Sequence, residues 1–247
     1  MTDKLTFNEE RHLYFLEVDG VKKPLTGCTS VLQAIAKPAL IQWSANEAIK
    51  YVLENGKEKD EDFILISKEQ LEEARTAHRR KKKDAGQKGT DIHAILEQRI
   101  KKAIAETDGL IVAHEPEESK QVSDFIDWTI EQKIKFLASE KRVFSKTFWI
   151  AGTLDFICEL NGKKYIGDIK TSSGIYGREY FAQCAGYRLM CEEQGETGFT
   201  GSLIVRMGKD GTSEMVVSED YETDKRLFLA CLEVYRTMGT FTQEIKN

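Results

Sequence analysis

Apolar positions along the chain follow two different rhythms. In the first half they recur every three or four residues. Ile92, Leu96, Ile100 and Ala103 form one such stripe, the spacing of a helix face. From Lys141 onward, short strand-like runs take over: RVFS, WIAGTLDFICEL and KKYIGDIKTS. Turn and cap signals divide these patterns into elements. Residues 11–33 read as a hairpin around Asp19-Gly20 that leads into a helix start. Residues 29–55 read as helical, with Trp43 as a core anchor. Ser67-Lys68-Glu69-Gln70 fits a capping box and opens a further helix. Gly86 and Gly89 interrupt that helix, and Thr90 N-caps the next, TDIHAILEQRIKKAIAE. A third helix covers 118–138. After the strands, a helix is expected over 177–194, then a hairpin of LIVRM and EMVVS around Lys209-Asp210-Gly211. A closing helix spans 222–238. The simplest description is one α/β domain over 1–247. Residues 1–88 supply an N-terminal hairpin and a mostly helical part, and 89–247 supply the core.

Composition narrows the class. The chain has 247 residues, 40% hydrophobic and 31% charged, which suits a soluble protein with a sizeable core. No apolar run approaches the roughly 20 residues of a membrane helix. The charged N-terminus lacks an apolar signal core, so a cytoplasmic setting is the expectation. Five cysteines without a C-x-x-C pair argue against a disulfide framework or zinc ribbon. Net charge is −5, so a polyanion partner would need a local basic patch. Arg79-Arg80-Lys81-Lys82-Lys83 is the candidate.

The turn chemistry of 161–162 has a consequence for charge. A two-residue type I′ loop at Asn161-Gly162 pairs Leu160 with Lys163. Counting back along both strands sets Asp155 opposite Asp168, with Lys170 two residues further on the same face. Directly opposed like charges destabilise a sheet. Three arrangements relieve the clash: one carboxyl stays protonated, Lys170 neutralises one, or a divalent cation binds between them. A surface hairpin whose charges point into water fits the spacing equally well.

Asp155 with Asp168-Ile169-Lys170 resembles the D…(D/E)xK signature of the PD-(D/E)xK nuclease superfamily. Three further motifs resemble its RecB-type exonuclease branch: Gly89-Thr90-Asp91-Ile92-His93, Ala151-Gly152-Thr153-Leu154-Asp155, and Gln183-Cys184-Ala185-Gly186-Tyr187. The segment TGCTSVLQAIAKPALIQW is similar to phage and prophage members. The resemblance implies a restriction-endonuclease-like core, with a central mixed β-sheet flanked by helices. It implies Mg²⁺- or Mn²⁺-dependent cleavage of DNA phosphodiester bonds in recombination, repair or phage DNA processing, most simply by an exonuclease. His93, Asp155, Asp168 and the Ile169 carbonyl would be metal ligands, and Glu140, just before the first core strand, an additional one. Lys170 would be the catalytic lysine, with Gln183 beside it. Thr171, Ser172, Tyr187 and the basic run Arg79–Lys83 would meet DNA. A recombination or single-strand-binding protein is a further expected partner. Some relatives carry an iron–sulfur cluster on one N-terminal cysteine and a C-terminal trio. Cys184, Cys191 and Cys231 do not form a compact trio, so no cluster is expected. No P-loop occurs.

Each of these residues has a plainer reading. His93 borders the Ile92/Leu96/Ile100 stripe, where a histidine is commonly a hydrogen-bonded core residue. Tyr187 continues a stripe with Tyr180, Cys184 and Cys191, consistent with packing. The basic run equally suits a solvated helix face. Two rival functions stay open: a structure-selective endonuclease, and a DNA-binding recombination partner with a vestigial metal site.

Overall fold

A computed structural model describes residues 3–60, 63–116, 119–172, 174–208 and 213–246, with side chains through Gly239. In chain order the elements begin with β1 (Lys4–Asn8), β2 (Leu13–Val18), β3 (Val21–Gly27) and α1 (Cys28–Val31). After a 3₁₀ turn over Leu32–Ala34 come α2 (Pro38–Asn55), β4 (Lys57–Asp60), β5 (Phe63–Leu65), α3 (Lys68–Glu106) and α4 (Lys120–Glu131). Then follow β6 (Lys135–Ser145), β7 (Ile150–Leu160), β8 (Lys163–Lys170), α5 (Glu179–Glu193), β9 (Phe199–Met207), β10 (Ser213–Ser218) and α6 (Tyr221–Lys246). The chain divides into two units, Met1–Ile35 with Ile92–Asn247, and Ala36–Asp91.

The first unit is built on an eight-stranded mixed sheet. Its order is β1-β2-β3-β7-β8-β9-β10, and β6 pairs with β7. The mixed α/β class read from the sequence is therefore the class observed. β6 runs antiparallel along β7 from Ile150 to Glu159 and occupies one of its two edges. The other edge is shared. β3 takes it at Ile150–Ala151 in parallel, and β8 takes it from Phe156 to Leu160 in antiparallel. Residues 152–155 lie between these two partners, so the sheet has a gap there.

Two cores cover the sheet. One packs Ile150, Leu154, Ile157, Ile166 and Ile204 with residues of α1, α5 and α6. The other packs Phe156, Cys158, Tyr165, Ile169 and Leu203 with residues of α3 and α4. Leu154 and Phe156 thus go to different cores although two apart, so the strict alternation of a strand breaks at Asp155. The Ile92/Leu96/Ile100/Ala103 stripe is buried in the second core, as its period predicts. All five cysteines are buried thiols. No helix among the described residues is long and apolar enough to cross a membrane.

Several local expectations hold and others need correction. The Asn161-Gly162 turn has both residues at positive φ, 53° and 73°, as a type I′ loop requires. Asp19-Gly20 makes the corresponding turn between β2 and β3. The capping box is reciprocal: Gln70 N–H donates to Ser67 Oγ at 3.1 Å, and Ser67 N–H to Gln70 Oε1 at 2.9 Å. Thr90, however, is no N-cap. α3 runs unbroken for 39 residues through Gly86 and Gly89, and Thr90 Oγ1 donates to the Gly86 carbonyl. The helix expected over 29–55 is interrupted: α1 ends at Val31, Ile35 is extended after the 3₁₀ turn, and α2 starts only at Pro38, the residue before that proline being held out of helical geometry. The helix expected over 118–138 ends at Glu131, where Lys133 turns left-handed (φ 52°) and β6 begins. The closing helix extends to Lys246. The Lys209-Asp210-Gly211 turn lies outside the described residues, though β9 and β10 pair antiparallel as expected.

In the second unit, α2 packs on the first part of α3 through Tyr51, whose hydroxyl donates to Glu73, and through Trp43. Trp43 is only half-buried, its ring edge against His78 at 6.3 Å, and so is not a core anchor.

Candidate active site

The gap in the sheet gathers the polar residues singled out above. The β7–β8 ladder runs from Leu160↔Lys163 to Phe156↔Gly167, the register set by the turn. The next step would join Asp155 to Asp168, and there the ladder stops. Asp155 instead turns its carboxylate across the gap and accepts the Ile169 backbone N–H at 2.7 Å. A side chain thus satisfies a strand donor that would otherwise be left without a partner.

Asp168 is 1% exposed, with β9 paired along the other edge of β8. Its Oδ1 accepts a hydrogen bond from Gln183 Nε2 at 3.0 Å. Lys170 Nζ lies 2.6 Å from its Oδ2, an ion pair between a buried carboxylate and a largely buried ammonium. Burial pushes the Asp168 carboxyl up, Lys170 pulls it back and Asp155 pushes it further; the outcome is a raised value. Burial works against the Lys170 ammonium, yet Asp168 and Asp155 outweigh it and hold Lys170 above its ordinary range. Its Nζ also lies 5.4 Å from the Tyr180 ring centroid. Neutralisation by Lys170, one of the three ways to relieve opposed carboxylates, is in place.

His93 reaches the same place from α3. Its Nδ1 is 3.6 Å from Asp155 Oδ2, and its ring remains partly exposed. Glu140 is also present, but not where the sequence suggested. It lies inside β6 rather than before it, between Ser139↔Phe156 and Lys141↔Leu154, which sets it across from Asp155. Its φ of 48° is left-handed, a costly conformation for a residue with a Cβ. Burial first, then the charges of Asp155 and Glu97, push its carboxyl up to about 7. Glu140, Asp155 and Asp168 thus stand in a row across three adjacent strands. Glu97, one turn beyond His93 on α3, is a fourth acid near the row that sequence reasoning missed. Its i, i+4 spacing from His93 was the available signal.

Gln183 and Tyr187 sit one turn apart on α5 and act on each other. Gln183 Nε2 also donates to the Tyr187 hydroxyl at 3.2 Å, so both amide hydrogens are committed inside the protein. Tyr187 is 3% exposed and packs in the main core, the plainer of its two readings. Gly152 permits this closeness: a Cβ there would stand 2.6 Å from Tyr187 Cε1. Gly186 does the same for α6, where a Cβ would meet the Phe228 ring at 2.7 Å. Gly152 thus lets α5 approach the sheet closely enough for Gln183 to reach Asp168, while Gly186 lets α6 pack closely on α5.

The remaining candidates differ in setting. Ile169, whose carbonyl is an expected ligand, is buried. Thr171 and Ser172 are half-buried at the end of β8, and Ser172 Oγ donates to the Gly174 carbonyl. Arg79–Lys83 are exposed on α3 within the second unit. There Lys81 pairs with Glu47, and Arg80 lies over the Tyr51 ring.

Among the described residues, no three His, Cys, Asp or Glu side chains stand together closely enough to hold a metal ion. The chemistry of the donor set nevertheless fits a hard divalent cation. It offers carboxylate oxygens and one imidazole, and the buried Asp168 Oδ2 has the Lys170 ammonium beside it.

No protein-family model and no curated protein matches the sequence. Solved structures similar to this chain include an alkaline exonuclease, LHK-Exo, from Laribacter hongkongensis. It is 14% identical, with 90% of this chain and 94% of that one covered and a TM-score of 0.36. Another is SSO0001, 17% identical over 46% of this chain and 57% of that one, with a TM-score of 0.28.

Proposed function

We propose that this protein is a divalent-metal-dependent DNA nuclease, acting as an exonuclease in recombination, repair or phage DNA processing. The observation that carries the reading is the convergence, at one gap in a buried sheet, of Asp155, Asp168, Lys170, His93 and Glu140. These residues come from four separate elements. A purely structural role gives no reason to gather three carboxylates there, since each burial costs free energy unless a cation compensates. The motifs that carry them also follow the order and spacing of the RecB-type branch.

Asp155, Asp168, His93 and Glu140, with the Ile169 carbonyl, would hold Mg²⁺ or Mn²⁺. Such an ion supplies charge neutralisation at the scissile phosphate and acidifies water. Asp168 and Asp155 favour the charged form of Lys170, so a proton-accepting role would need the metal to offset those carboxylates. Its charged form suits Lys170 to position the attacking water and to stabilise negative charge developing on the phosphate. Moving toward the phosphate would release Asp168 Oδ2. Gln183 keeps Asp168 oriented through that exchange, because its amide holds the other oxygen. Asp155 is fixed by the Ile169 N–H and in turn faces His93.

The tight Lys170–Asp168 pair favours one rival, a DNA-binding protein whose carboxylates are structural. Incubating the purified protein with end-labelled single- and double-stranded DNA in Mg²⁺, Mn²⁺ or EDTA separates the two. The nuclease reading predicts loss of label only with metal. DNA bound but left intact in every condition supports the rival. Closed circular DNA that stays intact while linear DNA is degraded distinguishes the exonuclease from an endonuclease.

A further inference from the structure

We propose that the N-terminal hairpin carries a stacking platform for unpaired bases of a DNA strand, formed by Phe7, His12 and Tyr14 with Arg142 beside them. The ligand class rests on the nuclease reading; the site itself is separate from the residues of the proposed chemistry.

Phe7 and Tyr14 are direct partners across β1 and β2, with ring centroids 4.5 Å apart. The His12 ring stacks on Phe7 at 5.5 Å, with planes 23° apart. Packing explains Tyr14, which lies against the small core of Leu16, Leu25 and Ala151. It does not explain His12. This residue is exposed at the hairpin turn with a left-handed φ of 50°, and still sets its imidazole over Phe7. The Arg142 guanidinium lies 5.5 Å from the Phe7 ring centroid. It also stands 4.0 Å from Glu9, an exposed pairing of the kind that contributes little.

The platform is tied to the gap. Tyr14 and Thr153 share a hydrogen bond of 2.9 Å between their hydroxyls, and Thr153 lies two residues before Asp155. Arg142 is the register partner of Thr153 and lies two residues beyond Glu140 on β6. One side of the gap therefore carries the carboxylates and Lys170, and the β3 side leads to three clustered rings and a guanidinium. Aromatic faces stack with any base, and arginine adds phosphate contact and planar stacking. Bases still paired in a duplex cannot stack this way, so the platform selects an unpaired strand next to the bond being cut.

The test uses the full chain and a fluorescent single-stranded oligonucleotide, with binding measured in EDTA and cleavage kinetics in Mg²⁺. Phe7→Leu keeps apolar packing without the ring, and His12→Ala alters only an exposed residue. Each should raise Kd and KM by about fivefold or more, with kcat within about twofold. An oligonucleotide with abasic sites should bind the wild type and both variants equally. Unchanged Kd and KM in both variants would overturn the proposal, as would an equal loss on the abasic strand. If Phe7→Leu fails to fold, as judged by its thermal melt, His12→Ala decides the matter. Ring-dependent binding without any cleavage would uphold the platform and defeat the nuclease reading. Cleavage with ring-independent KM would do the reverse.

Discussion

The β7–β8 hairpin is built by different rules at its two ends. At the closed end, two residues decide everything: Asn161 and Gly162 take positive φ, and the ladder from Leu160↔Lys163 follows. At the open end, the ladder gives way after Phe156↔Gly167, and a side chain replaces a strand as partner of the Ile169 N–H. There β3 departs from the β7 edge, β6 delivers Glu140, α3 delivers His93 and α5 delivers Gln183. The closed end is stabilised by local backbone preference. The open end concentrates buried charge that tertiary neighbours compensate, Lys170 beside Asp168 among them. Regular structure and candidate chemistry thus occupy one hairpin without competing, because the first is complete before the second begins.

That contrast can be broken at either end, and the effects should be unequal. The largest is expected at Asp155→Asn. Asparagine keeps an acceptor for the Ile169 N–H but loses the charge, so cleavage should fall by about 10³-fold, or roughly 4 kcal/mol in barrier, with little change in melting temperature. A melting loss in proportion to the activity loss would mean that Asp155 serves the fold. Next is Gly167→Ala, where the ladder ends. A Cβ there would stand 1.9 Å from the Phe156 ring, which packs edge-on to Phe125 and Phe136. Overpacking of that kind should cost about 3 kcal/mol in urea unfolding. Gly162→Ala at the closed end has open space around it and only its φ of 73° to contend with. Its cost should be about 1 kcal/mol, so a larger loss than at Gly167 would reverse the comparison.

The last effect is a slope with pH and not a single loss. Glu140 releases its proton at about 7 in the folded protein, against an ordinary value of 4.5. The folded state therefore binds more protons than the unfolded state between these values. The contribution of this group to stability is fully present below about pH 4.5 and is lost as pH rises through about 7. Comparing unfolding free energies at pH 5 and 7.5 should show that Glu140→Gln flattens the dependence. An unchanged slope would mean that neither burial nor Asp155 raises the Glu140 carboxyl in the folded protein.

What the sequence revealed follows the same division. The β7–β8 register, the Asp19-Gly20 turn and the reciprocal Ser67/Gln70 cap were legible because each depends on a few adjacent residues. The stripe of Ile92, Leu96, Ile100 and Ala103 was legible because period alone determines the buried face. The continuity of α3 was not. Gly86 and Gly89 are poor helix formers, yet the helix persists through them, with Gln87 donating to Asp91 and Thr90 to the Gly86 carbonyl. The position of Glu140 was hidden by an irregularity between Phe136 and Ala138 in β6, which shifts the register by one, and by its own left-handed backbone. The commitment of Gln183 to Asp168 and Tyr187 depends on how closely α5 approaches Gly152, a matter of packing that no local pattern encodes.

The central claim is that the open end of this hairpin is a catalytic centre in which Lys170 acts on a scissile phosphate. Its most direct test is the single-turnover cleavage rate of end-labelled DNA by wild type and Lys170→Ala, each confirmed as folded, in Mg²⁺ and in EDTA. The prediction is metal-dependent cleavage by the wild type and a loss of about 10³-fold in the variant. Wild-type protein that leaves the DNA intact in Mg²⁺, or a Lys170→Ala variant that cleaves at the wild-type rate, would contradict it.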